Sequence, residues 1–131
     1  MRNRKTDANQ AEIVRYLQAA GVTVEDLSAV GRLPDLLLCN RAGVLSFAEI
    51  KIEGSRAVYT RTQIDWVSRT NAPVAIVKTK EAALDFANNP KLYGLTARQK
   101  NGLTSLLLRN PGKQRFTPSE VSAALVEVKT K

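Results

Sequence analysis

Two carboxylates and one ammonium fall close together in the pattern of this chain. Asp35 opens a short apolar run, Leu36–Cys39, and Glu49 and Lys51 lie two residues apart on a second run over 44–52. Side chains alternate along a strand, so Glu49 and Lys51 project from one face. If the turn at 40–43 pairs the runs so that 35 lies opposite 49, Asp35 joins that face, and Pro34 fixes the backbone just before it. Carboxylates brought side by side raise the pKa of at least one unless a cation intervenes. A hard divalent ion, magnesium or manganese, is the natural cation. Asp35, Glu49 and the backbone carbonyl of Ile50 would hold it, with water and a substrate phosphate completing the shell. Such an ion acidifies bound water and offsets charge on the phosphate. Lys51 would position or activate that water and stabilise charge growing at phosphorus. The chemistry is hydrolysis of a phosphodiester.

Composition agrees with that choice by exclusion. The 131 residues contain no histidine and one cysteine, Cys39. Ser-His-Asp and Cys-His hydrolases, histidine-bound zinc and histidine-dependent nucleases are thereby removed. No intrachain disulfide can form. Cys39, inside an apolar run, reads as a buried reduced thiol, and no apolar segment follows the basic start, so a cytoplasmic setting is expected. No apolar run is long enough for a membrane span.

The elements that must position the three groups read as follows. Positions 8–20 repeat apolar residues at helical spacing (Ile13, Leu17, Ala20) and stop at Gly21. An extended piece, 22–24, precedes Leu36–Cys39, whose continuous apolar character predicts burial on both faces. A helix over 60–70 carries Ile64 and Val67; Val74–Val77 is a further buried strand, and 80–87 a short helix. The order predicts an α/β domain with a mixed central sheet flanked by helices. Asn88-Asn89-Pro90 reads as a boundary, giving a core over 1–90 and an extension over 91–131. The extension holds two helical patterns, 97–108 after Thr96, and 118–126 after Thr117 with Glu120 completing a capping box.

Charge is spread unevenly along the chain. The net charge is +8; residues 1–90 carry 12 basic and 10 acidic side chains, and residues 91–131 carry 8 and 2. The extension is thus the electrostatic attractor, suited to a polyanion, although a solubilising surface accounts for the same balance. Arg98, Lys100, Arg109, Lys113 and Arg115 are its candidate phosphate contacts, joined by Arg56, Arg61 and Arg69 around the 60–70 helix. Tyr59 and Trp66 could stack on bases or pack in the core.

The ordered set Pro34-Asp35, thirteen residues, then Glu49-Ile50-Lys51 resembles the PD-(D/E)xK nuclease superfamily. Glu12 on the leading helix, the glycine before Pro-Asp and Gln63 on the following helix make it similar to the VRR-NUC family, virus-type replication-repair nucleases, and to Holliday junction resolvases. The resemblance covers about residues 8–87. It implies a restriction-endonuclease-like αβββαβ core and a magnesium- or manganese-dependent DNA endonuclease acting on branched DNA, with homodimers common among small members. It implies that Asp35 and Glu49 bind metal, that Lys51 is the catalytic lysine, that Glu12 completes the metal shell and that Gln63 stands near the site. Other readings stay open. Glu12 suits a first helical turn in any case, and Gln63 could begin an exposed helix. A non-catalytic DNA-binding module of the same fold, or an RNA-directed or structural factor, would share much of the pattern.

Overall fold

The structure, a computed structural model, describes residues 4–51 and 58–127, with side chains over 9–51 and 58–126. Helix α1 (Arg4–Ala19) begins four residues before the expected start, because no glycine or proline interrupts the stretch ahead of Ala8. It buries Ile13 and Leu17 and ends at Gly21, whose φ of 91° supplies the left-handed residue that closes a helix. There follow β1 (Thr23–Asp26), β2 (Leu36–Cys39), β3 (Leu45–Ile50), β4 (Tyr59–Thr60), α2 (Arg61–Arg69), β5 (Val74–Val77), α3 (Lys80–Asn88), α4 (Pro90–Tyr93), α5 (Ala97–Arg109), β6 (Arg115–Phe116) and α6 (Pro118–Glu127).

The central sheet has the order β1-β2-β3-β5. The pairs β1–β2 and β2–β3 are antiparallel and β3–β5 is parallel, so the sheet is mixed and the expected αβββαβ core is present. The antiparallel pair β2–β3 is joined by a short turn, whereas the parallel pair needs the crossover that α2 provides. Alternation then sorts the side chains. Leu36, Leu38, Ala48, Ile50, Ala75 and Val77 pack with α1 and α3 on one face. Phe47, Val74 and Ile76 pack on the other with α2, α5 and α6.

That second layer does not reach β2. Leu37 and Cys39 are therefore half-buried, while Leu36 and Leu38 are fully buried. The expectation of a strand buried on both faces, and of a buried thiol, is corrected accordingly.

The register of the β2–β3 hairpin rests on one side chain. Asn40 is buried; its Oδ1 accepts from the backbone N–H groups of Ala42 (2.9 Å) and Val44 (3.0 Å), and its Nδ2 donates to the carbonyl of Ala87 (2.9 Å). Gly43, at φ 84°, makes the turn that a Cβ would disfavour. The resulting pairs are Leu36↔Ala48 through Cys39↔Leu45, so one more step along the ladder sets Asp35 opposite Glu49.

The C-terminal helices are joined to the rest by packing and by backbone. Leu103, Leu106, Leu107, Phe116, Val121 and Ala124 share one apolar cluster with Ile64, Val67 and Val74. The two-residue strands β4 and β6 pair with each other across that join. Sequence patterning shows neither strand, because two residues carry no period. The capping box expected at Thr117 forms with Glu120, and Thr96, expected as an N-cap, also has a capping box, with Gln99 as the returning partner. Pro90, in the stretch read as a boundary, follows the end of α3 and starts α4 at its first position, where its missing N–H costs nothing. No described helix is long and apolar enough to cross a membrane.

Candidate active site

Asp35 and Glu49 grip one another through the backbone. The Asp35 N–H donates to Glu49 Oε1 (3.2 Å), and the Ile50 N–H donates to Asp35 Oδ2 (2.8 Å). Each carboxylate is thus aimed by the neighbouring strand's main chain rather than by its own rotamer preference. Lys51 Nζ lies 2.5 Å from Glu49 Oε2 and 4.6 Å from the centre of the Tyr59 ring. The three charged groups that alternation and register were expected to gather do share one face, beyond Phe47 and beside α2.

Gln63 reaches the same carboxylate from above. Its Oε1 accepts from the Thr60 N–H (3.1 Å) while its own N–H donates to Thr60 Oγ1 (3.2 Å), a capping box that opens α2. With the amide oxygen committed to the cap, Nε2 points at Glu49, 3.4 and 3.5 Å from its two oxygens. One half-buried side chain thus both caps the first turn of α2 and stands beside Glu49.

Burial sets the electrostatics. Glu49 is 3% exposed, and removal from water pushes its carboxyl up to about 7 against the pull of the Lys51 ammonium, with the Asp35 charge adding to the rise. Tyr59 is pushed upward by burial and by the Glu49 and Asp35 carboxylates, so it stands as a neutral phenol beneath Lys51. The donors are all oxygen, two carboxylates and a nearby main-chain carbonyl. That set suits a hard divalent ion. Among the described residues no third Asp, Glu or Cys joins the pair.

Glu12 stands elsewhere. It is exposed on α1 and pairs with Lys80 (3.2 Å), whose ammonium also sits over the Tyr16 ring. It borders a separate hollow of about 200 Å³ with Asn9 and Lys78. Of the basic candidates, Arg61 and Lys100 have their donors taken up inside the protein. Arg61 donates to the carbonyls of Leu107, Asn110 and Lys113 at the end of α5, and Lys100 donates to those of Thr70 and Ala72 after α2. Lys113 pairs with Glu120 (2.8 Å). Arg98, Arg109 and Arg115 are exposed, as is Arg69, which is paired with Asp65. Arg56 lies outside the described residues. Trp66 packs edge-on against Phe47, with centroids 5.0 Å apart.

One basic residue, Lys78, stands out only in three dimensions. Lys78 follows β5 as Lys51 follows β3, and the Lys51 N–H donates to the Val77 carbonyl (3.0 Å), so the parallel register carries Lys78 beside Lys51. Its signal was available in the alternation Val74, Ile76, Lys78, once the two strands are known to be parallel.

The structure is similar to a solved structure described as "VRR_NUC domain", with a TM-score of 0.51 and 22% identity, over 66% of this chain and 98% of that one. No family model matches the sequence, and no curated protein does. The chain has the fold of a VRR_NUC domain, and about a third of its length lies outside the matched region.

Proposed function

We propose that the chain is a nuclease of the VRR-NUC type, a magnesium- or manganese-dependent endonuclease that hydrolyses DNA phosphodiesters. The observation that carries the reading is the mutual clasp of Asp35 and Glu49 with Lys51 in contact, on a fold shared with a VRR_NUC domain. Asp35, Glu49 and the Ile50 carbonyl would hold the metal ion. When bound, that ion supplies a Lewis acid to the phosphate and acidifies water.

The chain's own groups do the rest. Lys51 holds the attacking water and stabilises the negative charge that develops at phosphorus. The main-chain N–H groups of Asp35 and Ile50 fix the two carboxylates, so little reorganisation accompanies the reaction. Gln63 restrains Glu49 from the helix side, and the Tyr59 ring keeps Lys51 over the site. The net charge of +8 favours a polyanionic substrate and makes affinity fall with salt. Branched or junction DNA, as met in replication, repair or recombination, is the substrate class that the resemblance suggests.

Purified protein incubated with labelled linear, flapped and four-way DNA tests this. Cleavage is expected with magnesium or manganese, and is lost in EDTA. Asp35→Ala and Lys51→Met each slow it by about 10²-fold or more. Tight DNA binding without cleavage in either metal would leave a non-catalytic DNA-binding module instead.

A further inference from the structure

Beside the acidic pair a groove of about 870 Å³ opens between the carboxyl ends of β3 and β5 and the first turns of α5 and α6. Lys51 and Tyr59 belong to its wall, so it is continuous with the candidate active site. Among the described residues its charged wall residues are Lys51 and Lys78, and no described Asp or Glu lines it. Among the described residues Lys78 makes no ion pair or hydrogen bond. At the far wall Tyr93 is 50% exposed and Leu92 73% exposed, and both line the groove. Gln99 and Ser119 add neutral polar groups.

Each feature bears on what fits. The carboxyl ends of parallel strands are where α/β sheets place ligands. Lys51 is already paired with Glu49, so Lys78 is the described ammonium that this wall presents to an anion. The volume is that of a site that takes a small molecule, enough for a nucleotide or two of one strand. A half-exposed tyrosine beside an exposed leucine offers the flat apolar surface on which an unpaired base stacks.

We propose that this groove takes the unpaired nucleotides adjoining the scissile phosphate, with Lys78 on the backbone and Tyr93 against a base. The position next to the scissile bond rests on the nuclease reading; the strand-binding site does not. The C-terminal helices then supply the wall that selects an unpaired strand, and Lys78 is a positioning residue.

Binding measured in EDTA, without cleavage, tests it. Fluorescein-labelled hexathymidylate and a blunt-ended two-strand duplex are titrated by anisotropy over a range of salt. Tyr93→Ala weakens hexathymidylate by about tenfold and leaves the duplex close to wild type. Lys78→Ala flattens the salt dependence of hexathymidylate binding by about 0.7 in log–log slope, and Lys78→Arg restores it. Arg15→Ala, on the helix across the sheet, removes the same charge and leaves that slope unchanged. If folded Tyr93→Ala and Lys78→Ala proteins bind hexathymidylate as wild type does, or lose both ligands equally, the groove proposal fails whatever the cleavage assay gives. If both behave as expected and no metal supports cleavage, the groove stands and the nuclease reading falls.

Discussion

Asp35 and Glu49 are each held by a main-chain N–H of the opposite strand's ladder, Glu49 by that of Asp35 and Asp35 by that of Ile50. The arrangement brings like charges together in a place where one of them is buried. Stability and activity should therefore pull in different directions there. Asp35→Asn keeps an oxygen for the Ile50 N–H and removes the charge. In EDTA its thermal midpoint is expected to equal or exceed that of wild type, while the rise in midpoint on adding magnesium and the cleavage activity both disappear. A variant that loses midpoint in EDTA and still responds to magnesium would contradict this.

Glu49 gives the metal-free protein a pH dependence of defined sign. Its carboxyl stands at about 7 in the folded chain against 4.5 in the unfolded one, mainly through burial. Between those values the folded state binds the extra proton, so stability from this group is full below pH 4.5 and is lost as pH rises through 7. The loss is on the order of 3 kcal/mol. Denaturant unfolding in EDTA checks it: the wild-type curve falls across this window relative to that of Glu49→Gln, which lacks the titrating group. Parallel curves would remove Glu49 as the cause.

Asn40 holds the register that the site depends on. Asn40→Ala leaves the Ala42 and Val44 N–H groups and the Ala87 carbonyl short of a partner. A loss of about 2–3 kcal/mol in unfolding free energy is expected. Cleavage at a temperature where the variant is still folded is expected to fall too, since a shifted hairpin moves Asp35 off Glu49. Asn40→Asp restores the two acceptor bonds but not the one to Ala87, and recovers activity ahead of stability. Equal activity for all three proteins would separate the hairpin turn from the site.

How much of this could be read from residue order alone follows from the range of the interactions. The acid-acid-amine face was legible because alternation is local and Pro34, the turn at 40–43 and the apolar runs mark the strand ends. The helices of the extension were legible from Thr96 and Thr117, whose capping partners lie three residues on. The placement of Glu12 was not, since its partner Lys80 is 68 positions away on a different element. Lys78 was missed because its importance lies in the parallel pairing with β3, a contact made across the α2 crossover. The pairing of β4 with β6 left no pattern, being two residues long on each side.

Arg61 and Lys100 show how a basic side chain can be spent on the fold. Three carbonyls around the end of α5 accept from the Arg61 guanidinium, at 2.7, 3.1 and 3.2 Å, and two after α2 accept from Lys100. Burial lowers the Lys100 pKa, which marks an ammonium drawn out of water to reach them. Each ties a core helix to the C-terminal layer, so Arg61→Ala is expected to cost about 2–3 kcal/mol of unfolding free energy by leaving those carbonyls unpaired. Lys100→Met, which keeps much of the aliphatic stem, is expected to cost less. DNA affinity of the folded variants at fixed salt should change far less than that of Arg115→Ala, whose side chain is exposed on β6. Denaturation curves paired with anisotropy titrations decide the matter: an Arg61→Ala protein of wild-type stability and weakened DNA binding would put Arg61 back on the nucleic-acid surface.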